Sequence, residues 1–148
     1  MEAEPVIRIA ILDDDAQDVE LLSVNLRRYE REVIQKPTFE ITRYEDAAYF
    51  LSESTGQFDI AFMDIKMPRM DGMSASEMLR QRDSVMEIVF VTNVSSCAAR
   101  GYSVDAADFI VKPISYYGLK KALDKVVYRV RQKEESVLLR TKDSYLRL

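Results

Sequence analysis

Acids, a hydroxyl and an amine stand at the ends of apolar runs in this chain. The stretch Phe58 to Gly72, FDIAFMDIKMPRMDG, runs from a mostly apolar segment straight into Asp64, then to Pro68 and Gly72. Val6 to Leu12, VIRIAIL, empties in the same way onto Asp13, Asp14 and Asp15. Met86 to Val91 ends at Thr92 and Asn93, and Ala107 to Val111 ends at Lys112 and Pro113. In parallel sheets, ligands and chemistry gather just beyond the carboxyl ends of buried strands. Asp64 therefore has two readings, an ordinary loop acid or a functional one. The acid triplet also has two, a capped helix start or a cation site, since three consecutive acids repel one another and a cap needs only one.

The residue inventory narrows the chemistry. With no histidine and a single cysteine, Cys97, the chain has no histidine triad, imidazole base, histidine-bound zinc or internal disulfide. Carboxylates, hydroxyls and amines remain. Three carboxylates suit a hard divalent ion such as Mg2+ (or Mn2+). A lysine and a hydroxyl beside them make the group complementary to a phosphoryl, whose transfer depends on positioning and charge neutralisation.

The elements that must position these residues alternate. Val6 to Leu12 is a strand, and Val19, Leu22, Leu26 and Tyr29 take helical spacing after Asp15. Thr38 to Tyr44 is an edge strand and Glu45 to Ser52 a short helix. Phe58 to Met63 is a third strand, followed by a helix after Gly72. The five methionines between Met63 and Met78 fill core. Met86 to Val91 is a fourth strand, Val94 to Tyr102 a weakly helical connection, and Ala107 to Val111 a fifth strand. Leu119, Leu123, Val126 and Val130 mark a last helix to about Lys133, with Lys120, Lys121, Lys125 and Arg129 on its wet side. Such βα alternation predicts an α/β domain, a doubly wound five-stranded parallel sheet with helices on both faces. Ser136 to Arg140 and Tyr145 to Leu148 read as two short strands around a polar turn.

A chain of 148 residues, 47% hydrophobic, suits one domain with a short appendage. Its charge is uneven. Residues 1–119 hold 12 Lys and Arg against 21 Asp and Glu, and residues 120–148 hold 9 against 4. The acidic body argues against direct nucleic-acid binding there, because phosphate contact relies on Lys and Arg. The start MEAEPVIRIAIL places acids before its apolar run, unlike a signal peptide, and no run approaches the roughly eighteen apolar residues of a membrane span. The expected setting is cytoplasmic, with no membrane contact.

These residues together resemble the receiver domain of two-component response regulators. The resemblance spans residues 6 to about 133 and rests on ILDDD at 11–15, FMDIKMPRMDG at 62–72, FVT at 90–92 and DFIVKP at 108–113. It implies a flavodoxin-like sheet in strand order 2-1-3-4-5 and a sensor histidine kinase as phosphoryl donor. Asp64 matches the phosphoacceptor. Asp13 and Asp14 match the metal-binding acids, Asp14 as the direct ligand, with Asp64 and the backbone carbonyl of Lys66 completing the protein's share. Lys112 matches the phosphate-pairing lysine, and Pro113 the proline that follows it, commonly through a cis bond. Thr92 and Phe109 match the switch pair, a hydroxyl that turns to the phosphoryl and an aromatic that follows it. Two positions depart from the pattern: Asn93 replaces a small residue beside Thr92, and Lys66 puts a cation two residues beyond Asp64.

Residues 101–115, GYSVDAADFIVKPIS, are similar to receivers that carry a LytTR DNA-binding output, and SVLLRTKDSYLRL resembles the opening strands of such a domain. The expected organisation is a receiver over 1–135 and, over 136–148, a linker or first hairpin of an output domain. DNA would then be met only through residues outside this chain. A phosphorylated homodimer through the fourth and fifth βα units is a further expectation, with Tyr102, Tyr116 and Tyr117 as candidate contacts. The chain is expected to accept phosphoryl on itself and lose it by autodephosphorylation, not to turn over as an enzyme. Alternatives are a stand-alone receiver acting by protein contacts, or a haloacid-dehalogenase-type phosphatase. In the latter Asp13 and Asp15 fit by spacing, but Gln17 stands where a Thr or Val is needed.

Overall fold

The computed structural model describes residues 6–53, 57–93 and 104–146. The chain runs β1 (Val6–Leu12), α1 (Ala16–Glu32), β2 (Thr38–Tyr44), α2 (Ala47–Glu53), β3 (Ile60–Met63), α3 (Gly72–Arg82), β4 (Glu87–Thr92), β5 (Asp108–Val111) and α4 (Tyr116–Leu146). All strand pairs are parallel and the order is β2-β1-β3-β4-β5, as expected for a flavodoxin-like sheet. Val94–Tyr102, expected as a weakly helical connection, lies outside the described residues, as do Cys97 and Tyr102.

Successive side chains in a strand point to opposite faces, so an unbroken apolar strand feeds two cores. Ile7, Ile9 and Ile11 join Ile60, Phe62, Val89 and Val91 in one core, closed by Leu22 and Leu26 of α1 and Leu119, Leu123 and Val126 of α4. The alternate residues Ala10, Leu12, Ala61, Met63, Ile88 and Phe90 build the other, closed by Phe50 of α2 and Met73 and Leu79 of α3. Strand register locks the two layers together: Leu12 lies beside Met63, Met63 beside Phe90, and Phe90 beside Phe109. Met63, Met67 and Met73 are buried, in keeping with core filling, whereas Met78 is exposed.

Helix α4 corrects the reading of the tail. The helix was expected to stop near Lys133, with a linker or a first hairpin over 136–148, but it continues unbroken to Leu146, which excludes the two strands. No glycine follows Gly118 and no proline follows Pro113, so nothing in the stretch breaks a helix or supplies the glycine of a tight two-residue hairpin turn. Leu, Arg and Lys in this stretch are good helix formers, and elongating an existing helix needs no new nucleus. The helix is also tethered ionically. Glu87, at the start of β4 and 5% exposed, faces Arg129 at 3.7 Å and Lys133 at 3.3 Å, and Lys133 donates to the carbonyl of Val85.

Tyr116 is a second correction. It is buried, with the Arg28 guanidinium 3.8 Å from its ring centroid, and so is not available as a surface contact, whereas Tyr117 is exposed. The packing predicts a sharp contrast along α4. Leu123→Ala, at a fully buried position, should cost about 3 kcal/mol in urea unfolding. Leu139→Ala, on the exposed extension, should change stability by less than about 0.5 kcal/mol.

Candidate functional site

The sheet's own hydrogen bonds reach one residue past the strands and pin the backbones that matter. The Asp13 amide donates to the Tyr44 carbonyl at 3.1 Å, the Asp64 amide to the Leu12 carbonyl at 2.8 Å, and the Lys112 amide to the Thr92 carbonyl at 2.9 Å. Neighbouring strands thus align an acid, a second acid and an amine on one edge. The turn after Asp64 is equally constrained. A Cβ on Gly72 would stand 1.9 Å from the backbone oxygen of Asp64, so only glycine permits this approach, and the Gly72 amide donates to the Ile65 carbonyl at 2.7 Å. The Lys112–Pro113 bond is cis, as the resemblance implied.

Side chains then converge. Oxygens of Asp13, Asp14 and Asp64 all lie within 4.8 Å of one another. The Lys112 ammonium, with its side chain 6% exposed, sits among carboxylates: 2.6 Å from Asp18 Oδ2, 2.9 Å from Asp13 Oδ2 and 3.2 Å from Asp64 Oδ2. Burial alone would lower the lysine's pKa, but hydrogen bonds to Asp18 and Asp13 and the charge of Asp64 reverse this and hold it well above the ordinary range. Burial pushes the Asp13 carboxyl up, against the opposing pull of the Asp15 amide and Lys112. A cavity of about 300 Å³ opens over this cluster, lined among others by Asp14, Asp64, Lys66, Thr92, Asn93 and Lys112.

Every residue expected in the site is accounted for. Asp13, Asp64 and Thr92 are buried and Asp14 is exposed at the rim. Lys66 lies in the turn beyond β3 with an exposed side chain, its amide 3.4 Å from Asp64 Oδ1. Phe109 is half-buried and packs on Phe90, ring centroids 5.9 Å apart. Asp15 serves as the N-cap of α1, accepting from the amides of Gln17 and Asp18. Asp18 was missed. It lies four residues past Asp14, in the first turn of α1, and the helical phase that turns it toward Lys112 carries no apolar signal.

This fold and edge define the class, and comparison identifies the family. Residues 9–124 match the family described as response regulator receiver domain. The chain belongs to that family, the receiver domains of two-component systems. It is similar to the transcriptional regulatory protein RprY of Bacteroides fragilis, 26% identical over 90% of this chain and 55% of that protein. It is also similar to the sensory transduction protein LytR of Staphylococcus haemolyticus, 24% identical over 53% of this chain and 30% of that protein. The chain thus spans little more than half the length of the one relative and less than a third of the other. Among solved structures, the response regulator protein TrrA of Thermotoga maritima in complex with Mg2+-BeF has the same fold. The TM-score is 0.68, covering 81% of this chain and 98% of that one at 24% identity. No helix among the described residues is long and apolar enough to cross a membrane.

The ion cluster predicts how stability responds to pH. Lys112→Met leaves Asp13, Asp18 and Asp64 without their shared counterion, and breaking a buried pair in this way costs about 3 kcal/mol. Because the raised lysine pKa keeps the ammonium charged throughout the neutral range, that loss should be present in full near neutral pH. It should shrink as pH falls far enough to protonate Asp13, whose carboxyl burial pushes upward. Urea unfolding of both proteins at several pH values, without divalent ions, checks it.

Proposed function

We propose that the chain is a phosphorylation-activated switch in which Asp64 accepts phosphoryl from a sensor histidine kinase. The observation that carries this reading is the lysine ammonium 3.2 Å from a buried strand-end aspartate, inside a cavity also lined by Thr92. In the transfer, an Asp64 carboxylate oxygen attacks the phosphorus of a phosphohistidine. The P–N bond breaks, its electron pair returns to the imidazole nitrogen, and the phosphoryl remains on Asp64 as an acyl phosphate. Lys112 offsets the added charge, and the Thr92 hydroxyl donates to a phosphoryl oxygen. Water later hydrolyses the acyl phosphate, so the chain acts as a signal and not as a turnover enzyme.

The donor set fits Mg2+ or Mn2+, since Asp13, Asp14 and Asp64 offer hard oxygens at close quarters. The backbone carbonyl of Lys66 would complete the protein's ligands. When bound, the ion supplies positive charge against the phosphoryl oxygens. The exposed ammonium of Lys66 adds charge two residues from the acceptor and tunes the phosphoryl lifetime. Thr92, drawn inward, vacates space into which the half-buried Phe109 turns, so a local charge alters the surface of β4 and β5.

The output is transcription control through a DNA-binding domain beyond residue 148, of LytTR type. The wording of residues 101–115 and the similarity to a LytR protein support this. Residues 136–148 are then a connector, helical as far as Leu146. A phosphorylated homodimer would form through the β4 and β5 side, with the exposed Tyr117 available to it. The continuous helix equally suits a stand-alone receiver, and the coding sequence after Leu148 separates the two.

Intact mass after incubation with Mg2+ and acetyl phosphate tests the acceptor. Wild type should gain one phosphoryl group and Asp64→Asn none; an equal gain in both would sink the assignment. Mg2+ at a hundredfold its dissociation constant should stabilise the fold by about 2.7 kcal/mol, read as a higher melting temperature that Asp14→Ala abolishes.

A further inference from the structure

Resting on the reading above, we infer that Asp18 is a latch: it occupies Lys112 in the unphosphorylated protein and must be displaced when the lysine engages a phosphoryl group. An ammonium has three protons to donate. In this structure all three have carboxylate acceptors, Asp13, Asp18 and Asp64, so a phosphoryl oxygen can gain the lysine only by replacing one of them. Asp64 stays, because it carries the phosphoryl. Asp13 is tied down, being 5% exposed with its other oxygen accepting from the Asp15 amide at 2.9 Å.

Asp18 is the partner that can let go. It makes the shortest of the three contacts, 2.6 Å, yet its side chain is 31% exposed, against 7% for Asp13 and 9% for Asp64. It lines the same cavity as Asp64 and Thr92, so water can take over from the ammonium there. An alanine at this position would leave one lysine proton uncommitted and aimed at the incoming group, and an asparagine would offer that proton only a neutral acceptor. Asp18 is thus a positioning residue that works against activation. An acid in the first turn of a helix also favours the helix dipole. If that were its whole role, its loss would lower the melting temperature and leave phosphoryl affinity alone.

Beryllofluoride, a phosphoryl mimic, is titrated by calorimetry at saturating Mg2+ into wild type, Asp18→Asn, Asp18→Ala and Glu20→Gln, with melting temperatures measured in parallel. Losing the competing charge-assisted hydrogen bond should tighten beryllofluoride binding roughly five- to tenfold in both Asp18 variants. Glu20→Gln removes the same charge from an exposed position of the same helix and should bind as wild type does. Unchanged or weaker affinity in folded Asp18 variants overturns the latch, as does equal tightening in Glu20→Gln, which would indicate general charge repulsion. No binding to wild type, together with no mass gain from acetyl phosphate, overturns the phosphoryl-acceptor reading instead.

Discussion

One ammonium group holds the functional edge together. Three carboxylate-bearing residues reach Lys112 from β1, α1 and β3, while the lysine itself follows β5, so four elements meet at a single nitrogen. Oxygens of Asp13, Asp14 and Asp64 lie close enough to repel strongly in a partly dehydrated setting. The lysine supplies the counter-charge that Asp13 and Asp64 share and ties their strand ends together. The cluster proposed to carry the chemistry is therefore also the principal electrostatic constraint among the described residues on this edge of the sheet.

The order of the sheet explains why so few residues suffice. Each parallel neighbour supplies a carbonyl to the amide just past the strand beside it, so Asp13, Asp64 and Lys112 are placed by backbone before any side chain acts. Two hydrophobic layers fix the strands themselves, with alternate residues of β1 committed to opposite cores. A shift by one residue would exchange those layers and move the acids off the edge.

What the sequence revealed follows the same physics. Strand ends were legible because a buried apolar run stopping at a polar residue is a one-dimensional signal, and Asp13, Asp14, Asp64, Thr92 and Lys112 all sit at such stops. Asp18 and Glu87 were not legible as partners. Their roles depend on what helix phase and strand register bring near them from distant parts of the chain, Lys112 in one case and Arg129 and Lys133 in the other. The tail was misread for a different reason. Thirteen residues of mixed character satisfy a strand pattern as well as a helical one, and the absence of a glycine turn was the discriminating detail. Tyr116 looked like a surface aromatic until the fold put Arg28 over it.

The grip of Arg129 and Lys133 on Glu87 has a mechanical meaning. Helix α4 begins next to Lys112 and runs back against the strands, since Lys125 bonds the carbonyl of Ala107 just before β5 and Arg129 and Lys133 meet Glu87 at the start of β4. By the time the helix leaves the body it is on the opposite rim from the acids, a six-residue strand or about 20 Å away. On the proposed reading, a phosphoryl group on Asp64 and the far end of α4 lie on opposite rims of the sheet. A signal at Asp64 would then reach that end as displacement of packed elements, and β4, with Thr92 at one terminus and the helix's ionic anchor at the other, spans the two.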